Sequence, residues 1–196
     1  MPEAPEQNLL EAILDSWDRG NIILLNLLRA VPPGGLEARA TPTSHTVSEV
    51  FTHLHHERMI SVLEEAPECA GPVPPREWIH EPDPDRIAQM LADSATRVRD
   101  SVRGRVESGR ALELSYDHPI LLLQLLIFHE SYHHGQIKLA LKLAGCPIPD
   151  AAAGPLTWDI WRERKTPPLS PHRSTLNRTY RPASAARSKK EGSPEK

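Results

Sequence analysis

The sequence predicts an all-α protein, a four-helix bundle with one long Pro-rich crossover and a basic, disordered C-terminal tail. Three observations carry that expectation. Aromatic residues make up only 5% of the 196 residues, so Leu, Ala, Ile and Val must fill the core, and such a core suits packed helices better than a β-sandwich. Four long amphipathic stretches are punctuated by Pro and by helix-capping residues. No hairpin or βαβ pattern interrupts them, and four such helices pack most simply as a bundle.

The first helix is expected from about Glu6 to Ala30, with Leu9, Leu10, Ile13, Leu14, Trp17, Leu24, Leu27 and Leu28 roughly along one stripe, stopped by Pro32-Pro33-Gly34-Gly35. Thr46-Val47-Ser48-Glu49 reads as a capping box that opens the second helix, which ends before Pro67. Residues 68–84 hold Pro72, Pro74, Pro75 and Pro82, a connection longer than ordinary helix links and suited to covering one mouth of the bundle. Asp83-Pro84 starts a third helix, expected to reach about Val102 with Gly104 near its end. Its Arg97, Arg99 and Arg103 are expected on a solvated face. Asp117-His118-Pro119 launches the fourth, which ends at Gly145 before Pro147 and spans ~39 Å from 119 to 144. Leu121, Leu122, Leu125 and Leu126 are expected in the core, and a short closing element at 156–161 is expected to dock Trp158 or Trp161.

Charge is unevenly spread. The chain carries −3 overall, but residues 162–196 carry +7 and the rest −10. An acidic body argues against a specific nucleic-acid partner. The tail, with Pro167, Pro168, Pro171 and Pro182, reads as a solvated terminus. The domains are therefore 1–164, the bundle, and 165–196, the tail. Residues 120–128 form the longest apolar run, far short of a membrane span. The acidic start lacks the basic region of a signal peptide, so a cytoplasmic protein is expected. Cys69 and Cys146 have no metal-knuckle spacing and read as incidental thiols.

The chemistry lies in His129-Glu130-Ser131-Tyr132-His133-His134-Gly135-Gln136. His129 and His133 are one helical turn apart, so two neutral imidazoles can reach one metal ion. A third ligand can come from His53-Leu54-His55-His56 in the second helix. On a helix His55 points ~160° from His53, whereas His56 shares its face and competes with it. Three histidines leave coordination positions open, as catalysis requires. Glu130 gives the HExxH pattern of zinc proteases, but Gly135 comes one residue too early for the extended form, and no strand lines a peptide. Glu163 would be the third protease ligand, in a stretch that looks solvated. His45, His80, His118 and His172 read as ordinary surface histidines.

Val50-Phe51-Thr52-His53-Leu54 followed by His129-Glu-Ser-Tyr-His133-His134-Gly135-Gln136-Ile137 resembles the DinB/YfiT-like family of four-helix metalloenzymes over about residues 8–146. One departure is His134, where the family commonly has Arg, so a titratable group replaces a fixed charge. The resemblance implies that His53, His129 and His133 bind one divalent metal, zinc or nickel foremost, then iron or manganese. Glu57 and Glu130 are candidates to fix an imidazole tautomer. Gln136 is placed to bond near the site, and Gly135 to allow close helix approach. Glu130 and His134 are the candidate catalytic side chains. The resemblance further implies a thiol S-transferase-like enzyme that uses a low-molecular-weight thiol cosubstrate on a small electrophile, and a homodimer. A non-catalytic, stress-related bundle that binds metal or ligand and acts through dimerisation is the alternative, and metal-assisted hydrolysis the third reading.

Overall fold

The computed structural model describes residues 5–163, with side chains from Leu9 onward. Among them four long helices make up the fold: α1 Pro5–Arg29, α2 Val47–Glu65, α3 Pro84–Ser108 and α4 Pro119–Leu143, followed by the short α5 Asp159–Arg162. The expected tail from 165 lies outside the described residues.

The caps read from the sequence set the helix starts. Thr46 accepts from the Glu49 N–H at 3.0 Å while the Glu49 carboxylate accepts from the Thr46 N–H at 2.7 Å. Asp83 caps α3 ahead of Pro84. At α4 the cap is His118, whose Nδ1 accepts from Ile120 N–H at 3.1 Å, so that histidine has a structural task. The expected end of α3 near Val102 falls short. The helix runs through Gly104, which faces solvent, because Val102 and Arg105 beyond are buried. Arg105 reaches Glu68 at 2.7 Å and Glu113 at 3.0 Å. Gly109, at φ 64°, supplies the left-handed residue that ends the helix.

Two apolar clusters fill the bundle. One holds Leu24, Phe51, Leu54, Ile87, Leu91, Ile137 and Leu141. The other holds Leu14, Trp17, Val62, Val98, Val102, Leu122 and Leu126. Chain order through the clusters gives the topology: α1 and α4 run one way, α2 and α3 the other. Two parallel helices in succession require a connection that returns the length of the bundle, and residues 66–83 supply it.

Between the clusters, each helix contributes one polar residue. Arg58 is wholly buried and donates to Glu130 through two nitrogens, at 2.6 and 2.9 Å. It also donates to Asn21 Oδ1 at 3.0 Å and to the Leu91 carbonyl at 2.7 Å, while Ser94 lies at 3.5 Å. The guanidinium lies 4.8 Å from the Trp17 ring. This layer ties α4 to α2.

Several expectations about faces are corrected. Leu121 and Leu125 are 48% and 45% exposed, whereas Leu122 and Leu126 are buried. α4 is apolar on both sides, so its sequence cannot say which row faces inward. His55 is buried together with His53 because α2 is enclosed on most of its circumference. Arg99 and Arg103 are not merely solvated: they pair with Asp18 at 2.8 Å and Glu11 at 2.5 Å and join α3 to α1. Arg97 donates to the Cys69 carbonyl at 3.2 Å. Gly135 serves no close approach among the described residues, since a Cβ there would touch none of them. The closing element is held through its backbone: Arg19 donates to the carbonyls of Ile160 and Glu163, while Trp158 and Trp161 stay partly exposed.

Candidate metal centre

His53 on α2 meets His129 and His133 on α4. The three Nε2 atoms form a triangle with edges of 3.2, 3.1 and 3.0 Å. A neutral imidazole nitrogen is either one donor or one acceptor, so three converging nitrogens cannot satisfy one another by hydrogen bonds alone. A tetrahedral ion with bonds of ~2.05 Å needs ligand nitrogens ~3.3 Å apart. The triangle fits that demand to within a few tenths of an ångström. His53 and His133 are buried and His129 is half-buried.

The crossover roofs this triangle. Ser48 and Thr52, one turn apart on α2, each clasp a loop residue through both backbone groups. The Ser48 hydroxyl donates to the Glu81 carbonyl at 2.6 Å and accepts from its N–H at 2.8 Å. Thr52 does the same for Ile79, at 2.7 and 3.1 Å. Alternate loop residues are thereby zipped onto the helix, and Trp78, just before Ile79, is laid flat against His53, centroids 4.1 Å apart. His45 stacks on Trp78 at 3.7 Å. Glu77 Oε1 stands 3.0 Å from His53 Nδ1, close enough to pair though out of line for a full hydrogen bond. A proton kept on Nδ1 leaves Nε2 bare for a metal. Thr52→Val is expected to cost ~1–3 kcal/mol, because both polar groups of Ile79 lose their partner. Urea denaturation checks this; a loss below ~0.5 kcal/mol would mean the clasp is idle.

The same enclosure keeps His53 and His133 neutral. Burial first, then the neighbouring His133 and His129, push His53 down to about 3. Burial and His129 push His133 down to about 4, with the Gln136 amide opposing. The unfolded chain titrates these groups near 6.5. Below that pH it takes up protons that the fold refuses, so folding loses stability as pH falls from about 6.5 to about 4 and lower. Metal-free protein is therefore expected to melt at lower temperature at pH 5 than at pH 7.5. An unchanged melting temperature would contradict it.

A model of the DinB family matches residues 6–163. The chain belongs to the DinB family. No curated protein and no solved structure was found to match it significantly.

Within this DinB bundle the remaining candidates separate from the triad. His56 lies outside it, 3.6 Å from Glu57, so of the two competitors it is His53 that meets α4. Glu57 comes near His53 and Glu77 as a second group of potential ligands. Glu130, the base of the HExxH reading, has both carboxylate oxygens on Arg58. The structure makes it a clamp, because it turns to the buried guanidinium. His134 lines a groove with Ser16, Gly20, Trp158 and Trp161 instead of the triad. Burial, then Lys138, lowers its pKa. Gln136 and His133 both line a cavity of about 390 Å³, walled by Val47, Trp78, Tyr132 and Leu139. Among the described residues no Lys, Arg, Asp or Glu lines it. Sequence reasoning missed Glu77, Trp78 and His45; the one available signal was a lone Trp inside a Pro-rich loop. No helix among the described residues is long and apolar enough to cross a membrane.

Proposed function

We propose that this DinB protein is a divalent-metal-dependent enzyme of thiol S-transferase type, with zinc or nickel as the ion, acting on a small, neutral, largely apolar electrophile. The observation that carries the reading is a triangle of three imidazoles, one of which, His133, lines an adjoining cavity of about 390 Å³ without charged walls among the described residues. That volume lies within the range of small-molecule sites. A divalent ion held by three uncharged ligands keeps its charge and lowers the pKa of a coordinated thiol or water toward neutrality. The protein's own part is positional. Trp78 and Glu77 orient His53, Arg58 and Glu130 set α4 against α2, and Trp78, Tyr132 and Leu139 offer apolar walls to the electrophile. In the reaction the thiol sulfur bonds to the electrophilic carbon as a leaving group or an epoxide oxygen departs. The thiol proton ends in solvent or on that oxygen.

Metal-assisted hydrolysis through Glu130 is less favoured, because that carboxylate is committed to Arg58. The test is conjugation of low-molecular-weight thiols to a panel of epoxides and alkyl halides by metal-loaded and metal-stripped protein. Turnover by the loaded form alone, abolished in His133→Ala, is expected. Conjugation unchanged in His133→Ala would sink the proposal. A panel without turnover would favour the non-catalytic bundle.

A further inference from the structure

The cavity beside the triad draws its lining from two stretches of chain. One runs from Ala40 to Val50 and is joined by Trp78; the other is Tyr132 to Ala140 on α4. His45 belongs to the first and His133 to the second. His45 and His53 both lie within 7° of parallel to Trp78, with ring centroids 3.7 and 4.1 Å from it. Two rings cannot share one face of an indole at those distances, so Trp78 is sandwiched between them. His45 therefore stands one indole away from a corner of the triad. Its Nδ1 faces the Glu49 carboxylate at 3.8 Å, and Arg39 lies 3.6 Å from the same oxygen. Its Nε2 has no hydrogen-bond partner among the described residues, and the side chain is half exposed.

We propose that His45 is a catalytic residue, the general acid that protonates the oxygen of an epoxide as the thiol opens the ring. The assignment rests on the thiol-transfer reading above. Displacement at carbon is in line, so the bond that breaks lies opposite the incoming sulfur. An acid for the departing oxygen must then stand across the substrate from the nucleophile. His133 marks the α4 wall as the sulfur's side, and Tyr132 and Gln136 share that wall. His45 is the titratable side chain on the other wall among the described residues, and histidine is the residue type that most often hands over protons near neutral pH. The Glu49 carboxylate on the Nδ1 side gives the imidazolium a counter-charge and leaves Nε2–H to donate.

The step balances. A sulfur electron pair forms the C–S bond, the C–O pair stays with oxygen, and the Nε2 proton of His45 moves to that oxygen. The thiol releases its own proton to water before attack, and His45 takes one back afterwards. The net product is a β-hydroxy thioether. An alkyl halide needs no such proton, because halide leaves as a stable anion.

That difference supplies the test. His45→Phe keeps a flat ring for Trp78 and removes the proton. In metal-loaded protein it is expected to lower the ratio of epoxide to alkyl halide turnover about 10²-fold. A second readout needs neither metal nor turnover. Calorimetry on metal-free protein compares 2-(benzylthio)ethanol with benzyl propyl sulfide, which lacks the hydroxyl. The ratio of the two affinities is expected to fall about fivefold in His45→Phe, the worth of one hydrogen bond. Wild-type protein that turns over neither class overturns the thiol-transfer reading and this assignment with it. Turnover whose epoxide-to-halide ratio is unchanged in His45→Phe overturns the assignment alone. An equal loss on both classes with an unmoved affinity ratio also overturns it, and makes His45 a prop for Trp78.

Discussion

Replacing Arg58 with methionine is expected to remove ~3–5 kcal/mol of folding stability, because it leaves a buried carboxylate without its counter-charge. Arg58 is 0% exposed and holds Glu130 at 2.6 and 2.9 Å. Its other bonds, to Asn21 and the Leu91 carbonyl, would go as well. The loss belongs to the unpaired charge more than to the arginine. The double variant Arg58→Met/Glu130→Leu is therefore expected to recover much of it, as apolar replacements of buried ion pairs often do. Urea denaturation of the single and double variants measures the difference. A single variant within ~1 kcal/mol of wild type would show that the layer does not hold the helices together. The same substitution should weaken metal binding, since Glu130 adjoins His129 and fixes the height of α4 against α2.

Removing one corner of the triangle should have the largest functional effect. In His133→Ala the remaining His53 and His129 nitrogens, 3.2 Å apart, form a two-ligand site that binds weakly and fixes no geometry. Wild-type protein should gain stability with added zinc by RT ln(1 + [L]/Kd), and the variant should gain little. Metal-dependent conjugation should vanish with it. The fold should survive, because the imidazole sits at the cavity wall and the apolar clusters lie to either side. A variant with the wild-type thermal shift in zinc would contradict the assignment.

How far the sequence reached depends on the kind of signal. Helix starts were legible wherever a cap stood beside Pro, as at Asp83-Pro84 and His118-Pro119, because both act through local backbone chemistry. The His129–His133 pair was legible because helical spacing fixes its geometry. Faces were not legible on helices with little contrast around their circumference. α2 buries His53 and His55 alike, and α4 offers Leu121 and Leu122 as equals. The polar layer of Asn21, Arg58, Ser94 and Glu130 joins four distant segments, and only packing puts them at one height. Glu77 and Trp78 sit in a loop without period. Their positions follow from the Ser48 and Thr52 clasps, which read in sequence as unremarkable hydroxyls on a helix.

The proposed chemistry requires that three imidazoles hold one ion. Elemental analysis of untagged protein, wild type beside His53→Ala and His133→Ala, tests this most directly. About one divalent metal per chain in the wild type, lost from both variants, is the predicted result. Wild-type protein without metal after reconstitution and dialysis, or variants that keep it, would contradict the account.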